Sequence, residues 1–127
     1  MYMYLPPKEH IKEAKKVSEK DAFVLMEDDE CSKIYFRTDK LVFTVSSLLP
    51  GQRTPMDSGH SGADEVVYCI EGNLVIHLPD EKRYVELTGG DALCIPENEK
   101  HMAINVGDTI AKSVWSLAPG MGKPEME

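Results

Sequence analysis

Two short stretches of this chain concentrate the residue types that bind and activate small molecules. The first is His60-Ser-Gly-Ala-Asp64-Glu65, followed at a fixed distance by Gly72. The second runs from Gly90-Asp91 through Pro96 and Asn98 to His101 and Asn105. If Glu65 opens a strand facing inward, Val67 and Cys69 share its face while Val66, Tyr68 and Ile70 take the other. In the later strand His101, Ala103 and Asn105 share a face. A carboxylate and two imidazoles on different strands, His60, Glu65 and His101, can then converge inside a small barrel. Two histidines and one carboxylate suit non-haem Fe(II), and also Mn, Ni, Cu or Zn. The carboxylate supplies charge to a dication in a cavity of low dielectric, the neutral imidazoles fix direction, and the remaining positions stay open to a ligand. Further acid–base or anion-binding groups are sparse: Tyr35, Arg37 and Arg53 are the candidates.

The elements that must position these residues read as strands. From Ala22 onward, apolar and branched runs alternate with turns: AFVLM (22–26), KIYFRT (33–38), LVFTVSSLL (41–49), EVVYCI (65–70), LVIHL (74–78), RYVEL (83–87), ALCI (92–95), HMAINV (101–106) and IAKSVWSL (110–117). Short strands at intervals of about 8–12 residues indicate an all-β sandwich or barrel. Residues 1–21 read as an arm with a weak helix, since Ile11, Ala14 and Val17 recur at three-residue spacing. Residues 22–118 read as the barrel and 119–127 as a flexible, Pro/Gly-rich tail. Glu27-Asp28-Asp29-Glu30 reads as a solvated hairpin tip, because it lacks the ligand spacing of a calcium loop. Trp115 and Tyr68 read as core or interface aromatics, and Cys69 and Cys94 as small buried hydrophobes.

The same two stretches resemble the paired motifs of the cupin superfamily, G-x5-HxH-x(3,4)-E-x6-G and G-x5-PxG-x2-H-x3-N. Glu65 and Gly72 fit the E-x6-G portion; Gly90, Pro96, His101 and Asn105 fit the second motif, with Asn98 where the family usually has glycine. The resemblance implies a cupin-type double-stranded β-helix, or jelly-roll, barrel. The departure lies in the first motif, where the family has two histidines and this chain has only His60. Either His60 stands at the second histidine position and Ser58 at the first, or Ser61 and Gly59 occupy them and His60 lies beside the site. The resemblance therefore implies the ligands His60, Glu65 and His101, with Asp57, Gln52 or Asp64 as sources of a substitute oxygen. Asp64 is the weakest of these, because adjacent strand residues point to opposite faces.

Composition narrows the partners. The 127 residues allow one domain, with 42% apolar and 28% charged residues. A net charge of −8 would repel phosphate backbones and anionic lipid, so no nucleic-acid or membrane partner is expected. Three cysteines (Cys31, Cys69, Cys94) without a CxxC spacing suggest reduced thiols and a cytoplasmic location. The expected function is a metal-dependent cupin acting on a small organic or sugar-derived substrate by dioxygenase, isomerase or lyase chemistry. The alternative is a non-catalytic cupin that binds a small-molecule ligand around a degenerate metal site. An open barrel edge with an N-terminal arm also suggests a homodimer.

Overall fold

The computed structural model describes residues 5–119. Each apolar run of the sequence becomes a strand: Phe23–Glu27 (β1), Glu30–Arg37 (β2), Val42–Leu48 (β3), Asp64–Glu71 (β4), Asn73–Leu78 (β5), Arg83–Thr88 (β6), Ala92–Ile95 (β7), Met102–Asn105 (β8) and Ala111–Ala118 (β9). All pairings are antiparallel. They build a six-stranded sheet in the order β1-β2-β3-β9-β4-β7 and a three-stranded sheet in the order β6-β5-β8.

Val67 and Cys69 of β4 pack with Leu74, Ile76 and Leu78 of β5, so the two sheets share one core. The result is an all-β jelly-roll barrel. A smaller cluster of Ile34, Val42, Ala63 and Leu117 closes the other end. Among the described residues no helix is long and apolar enough to cross a membrane.

Two departures from the sequence reading involve the N-terminal half. Residues 8–19 form no helix; instead Glu9 donates its backbone N–H to the Arg37 carbonyl and bridges to Thr38, and only Glu19–Asp21 makes a 3-10 turn. Three apolar positions at three-residue spacing are too few to hold an isolated helix against solvent. The expected arm at residues 1–4 and the tail beyond 119 lie outside the described residues.

The second departure is the acidic hairpin. The loop is only two residues long, Asp28-Asp29, with Asp28 in the left-handed region at φ 52, which aspartate tolerates better than most residues. Glu27 and Glu30 therefore belong to the strands, face each other across the pair, and turn inward. Glu30 is only 8% exposed and accepts a hydrogen bond from Ser46 Oγ at 2.5 Å. Burial pushes its carboxyl up to about 7; hydrogen bonds to Ser46 and Ser32 resist the rise, while the charges of Glu27 and Glu65 add to it.

A segment outside the named strands completes the small sheet. Residues 51–57 run antiparallel to β8, with bridges Arg53↔Ile104 and Asp57↔His101. The end of β8 is held by Asn105, whose fully buried side chain donates to the Leu48 and Thr109 carbonyls, both at 2.9 Å, and accepts from Gly107 N–H. Asn105 is thus a strand-end staple.

Asn105→Ala leaves these backbone groups without partners, and denaturant unfolding should show a loss of about 2–4 kcal/mol; a loss under ~1 kcal/mol would contradict the staple. For Glu30 the folded state holds the proton more tightly than the unfolded chain. Stability should therefore fall as pH rises from the ordinary carboxyl value near 4.5 to about 7 and level off above it. The contribution is on the order of 3 kcal/mol. Metal-stripped wild type should lose this much more stability between pH 5 and 8 than Glu30→Gln, which keeps an acceptor for Ser46. Parallel pH profiles would refute it.

Candidate metal centre

Cross-strand pairing places the first two members of the centre. Asp57 and His101 exchange both backbone hydrogen bonds, N–H to O at 2.8 and 3.0 Å. In such a pair the two side chains stand next to each other on one face. Glu65 comes from β4 in the opposite sheet, where it registers with Ile95 and Leu117. His101 Nε2 lies 3.1 Å from Glu65 Oε1 and 3.7 Å from Asp57 Oδ2. One ligand atom each from Asp57, Glu65 and His101 thus falls within 4.8 Å of the others. His60 faces the same carboxylates, its Nε2 at 3.3 Å from Asp57 Oδ2 and 3.8 Å from Glu65 Oε1.

Tight backbone geometry delivers these groups. Gly59 N–H donates to Asp57 Oδ1 at 2.8 Å, which turns the chain toward His60. Gly59 has φ 90, and a Cβ there would lie 2.5 Å from the Asn98 carbonyl carbon, so only glycine lets this loop meet the 96–99 turn. Asn98, standing in place of the motif's glycine, has φ 62, a conformation asparagine adopts at modest cost. On the far side of that turn the Glu99 carbonyl sits 2.9 Å from His101 Nδ1. A carbonyl can only accept, so Nδ1 carries the hydrogen and the Nε2 lone pair of the neutral ring points at Glu65 and Asp57. The Trp115 ring stacks on His101, centroids 5.8 Å apart, with its Nε1 donating to Ser113 Oγ.

The charges respond to this crowding. Burial disfavours a charged His101, yet the adjacent Glu65, the charge of Asp57 and the Glu99 carbonyl together raise its pKa above the ordinary value. His60 is raised in the same way, burial being outweighed by Asp57 and Glu65. Burial would raise Asp57, but its bond to His60, the charges of both histidines and the Gly59 N–H hold it below the usual carboxylate range. Glu65 Oε1 is buried and makes no hydrogen bond. An orphaned anionic oxygen beside a directed imidazole nitrogen and a second carboxylate is a donor set that fits a divalent cation.

The structure thus gathers His60, Glu65 and His101, and of the three candidate oxygens it brings Asp57 beside them. Ser58 is exposed at the cavity rim, Gln52 Oε1 instead accepts the Leu49 N–H, and Asp64 is exposed. Asp57 was one of the three candidate oxygens, and counted from Gly51 the family's G-x5 spacing puts the first histidine position on it.

The three acid–base candidates do not reach the site. Tyr35 packs edge-on against Phe43 at 6.1 Å, Arg53 is exposed, and the buried Arg37 donates to the Pro6 carbonyl at 2.8 Å. Trp115 and Glu30, read from sequence as packing and as solvated charge, both line the cavity beside the centre. Cys69 is buried as expected, whereas Cys94 is exposed on β7.

The cupin domain family matches residues 44–117, more than half of the chain. Polyketide synthase CurC of Streptomyces cyaneus is 35% identical over 77 residues, 61% of this chain and 48% of that protein. Tetracenomycin polyketide synthase protein TcmJ of Streptomyces glaucescens is 30% identical over 79 residues, 62% of this chain and 51% of that protein. The chain therefore spans about half the length of the curated relatives it matches. Among solved structures, the polyketide cyclase RemF from Streptomyces resistomycificus superposes with a TM-score of 0.72 at 20% identity, covering 87% of this chain and 83% of that one. The family match covers both motif stretches, and the jelly-roll barrel agrees with it: the chain belongs to the cupin family.

Proposed function

We propose that this chain is a divalent-metal-dependent enzyme acting on a small, carbonyl-rich organic substrate by redox-neutral chemistry: enolisation, isomerisation or ring closure. The observation that carries the reading is the gathering of ligand atoms of Asp57, Glu65 and His101 within 4.8 Å of one another, His101 Nε2 lying 3.1 Å from Glu65 Oε1 and 3.7 Å from Asp57 Oδ2. When bound, a divalent transition metal supplies Lewis acidity toward a carbonyl or enol oxygen. Asp57 and Glu65 offset its charge, and His101 is held in the ligating tautomer by Glu99. His60 would complete the set from the Asp57 side. The cavity of about 440 Å³ suits a small organic molecule. The polyketide assignments of the relatives favour a carbonyl-rich substrate over a sugar; dioxygenase and lyase chemistry have no separate observation in their favour.

We also infer a homodimer formed through the outer face of the larger sheet. Val66, Tyr68 and Ile70 of β4 and Val24 and Met26 of β1 are exposed there, and Tyr68 continues through Val114 to Val45 across the register. The row reaches Val24 through Lys33, and exposed apolar side chains grouped on one sheet face favour a partner there.

Protein purified without chelators should carry close to one transition metal per chain by elemental analysis. For a ~10 μM site, millimolar ion should stabilise the stripped protein by about 2.7 kcal/mol. Asp57→Ala should weaken metal binding as severely as His101→Ala does. A wild type that neither retains metal nor gains stability from it would sink the enzymatic reading, and unchanged affinity in Asp57→Ala would remove that ligand. Sedimentation at micromolar concentration should give a dimer that Tyr68→Glu converts to monomer; a wild-type monomer would end the pairing proposal.

A further inference from the structure

One wall of the cavity, beside the candidate metal centre, is made by the acidic hairpin. Glu27 and Glu30, directly paired across β1 and β2, line the same cavity as Asp57 and Glu65. No lysine or arginine lies among the described residues that line it. A dication held by Asp57 and Glu65 balances those two carboxylates and leaves Glu27 and Glu30 without a counter-charge on the wall. An anionic ligand would surrender its hydration to face them, and like charges brought together in a partly desolvated space repel.

The rest of the lining has a different character. Leu25, Ile34, Val42 and Leu117 supply apolar contact, and Trp115 lies flat against His101, which suits an apolar ring. Ser46 Oγ bonds Glu30 Oε2, leaving the other carboxyl oxygen free of that bond. Burial raises the pKa of Glu27 and lifts that of Glu30 to about 7, so the charge on this wall grows as pH rises through that value.

We infer that the Glu27–Glu30 hairpin sets the specificity of this cavity, admitting uncharged ring compounds that carry hydroxyl or enol groups and rejecting carboxylates and phosphates. This deepens the function proposed above by naming the substrate class, but the discrimination comes from the hairpin and does not require the ion.

The test uses two probes of the same ring and nearly the same size, 3,5-dihydroxybenzamide and 3,5-dihydroxybenzoate, at pH 8. Binding is read by calorimetry and by the fluorescence of Trp115, the single tryptophan of the chain. Both the metal-loaded and the chelator-stripped full-length chain are titrated. The amide should bind at least about tenfold more tightly than the benzoate in both forms. Glu27→Gln/Glu30→Gln, which keeps hydrogen-bonding groups of the same size, should bring the two affinities to within about threefold. Glu30→Gln alone should fall between, which guards against misfolding of the double variant.

Equal or tighter binding of the benzoate to wild type would overturn the inference. So would a preference that survives in the double variant, or failure of the amide to bind at 10 mM. If the chain takes up no metal but the preference holds in the stripped protein, the metal reading fails and the specificity of the hairpin stands.

Discussion

The site depends on the 3.1 Å approach between Glu65 Oε1 and His101 Nε2 across the two sheets. With Nδ1 committed to the Glu99 carbonyl, a neutral His101 presents a lone pair to an anionic oxygen, acceptor against acceptor. Something positive must lie between them, either a proton on the imidazole or a cation shared by both. A proton can serve: the carboxylates raise both histidines, and the histidines help to hold Asp57 low. A metal held by Asp57, Glu65 and His101 would take over the same role and displace the proton, which would link affinity for the ion to the acidity of the site.

With Asp57 rather than a histidine paired to His101, the proposed centre would differ from a two-histidine one in charge more than in shape. The two-way backbone pairing of Asp57 with His101 keeps a ligand atom where a cross-strand neighbour must project. The chemistry of that atom is now hard and anionic. Two carboxylates can neutralise a dication fully, leaving little electrostatic attraction for an anionic ligand. This agrees with a cavity whose remaining charged wall is also acidic, and sets the chain apart from any site that must capture a carboxylate directly on its metal.

The barrel was legible because strand signals are local. Two-residue alternation, branched residues and Gly or Pro turns place all nine strands, and the spacing from Glu65 to Gly72 and from Gly90 to Asn105 marks two walls of the site. What escaped were residues whose meaning depends on a turn. Glu30 reads as solvent-facing charge until the loop is known to be only two residues long, which returns it to a strand and turns it inward. Asp57 did not escape but was one of three candidate oxygens; its segment has no strand pattern, and only the long-range bridge to His101 singles it out. Trp115 alternates correctly for a buried face, but alternation cannot separate a core position from a cavity wall. The weak helical spacing at 8–19 misled for the opposite reason, since the segment is held by a bridge to Thr38 rather than by its own periodicity.

The most direct test of the central claim is anomalous difference diffraction from metal-loaded crystals, measured at the absorption edge of the added ion. The account predicts one strong peak between the two sheets, about 2.0–2.2 Å from Asp57 Oδ2, Glu65 Oε1 and His101 Nε2. No peak at that point, with the Glu65–His101 gap closed by a direct hydrogen bond at metal saturation, would contradict it.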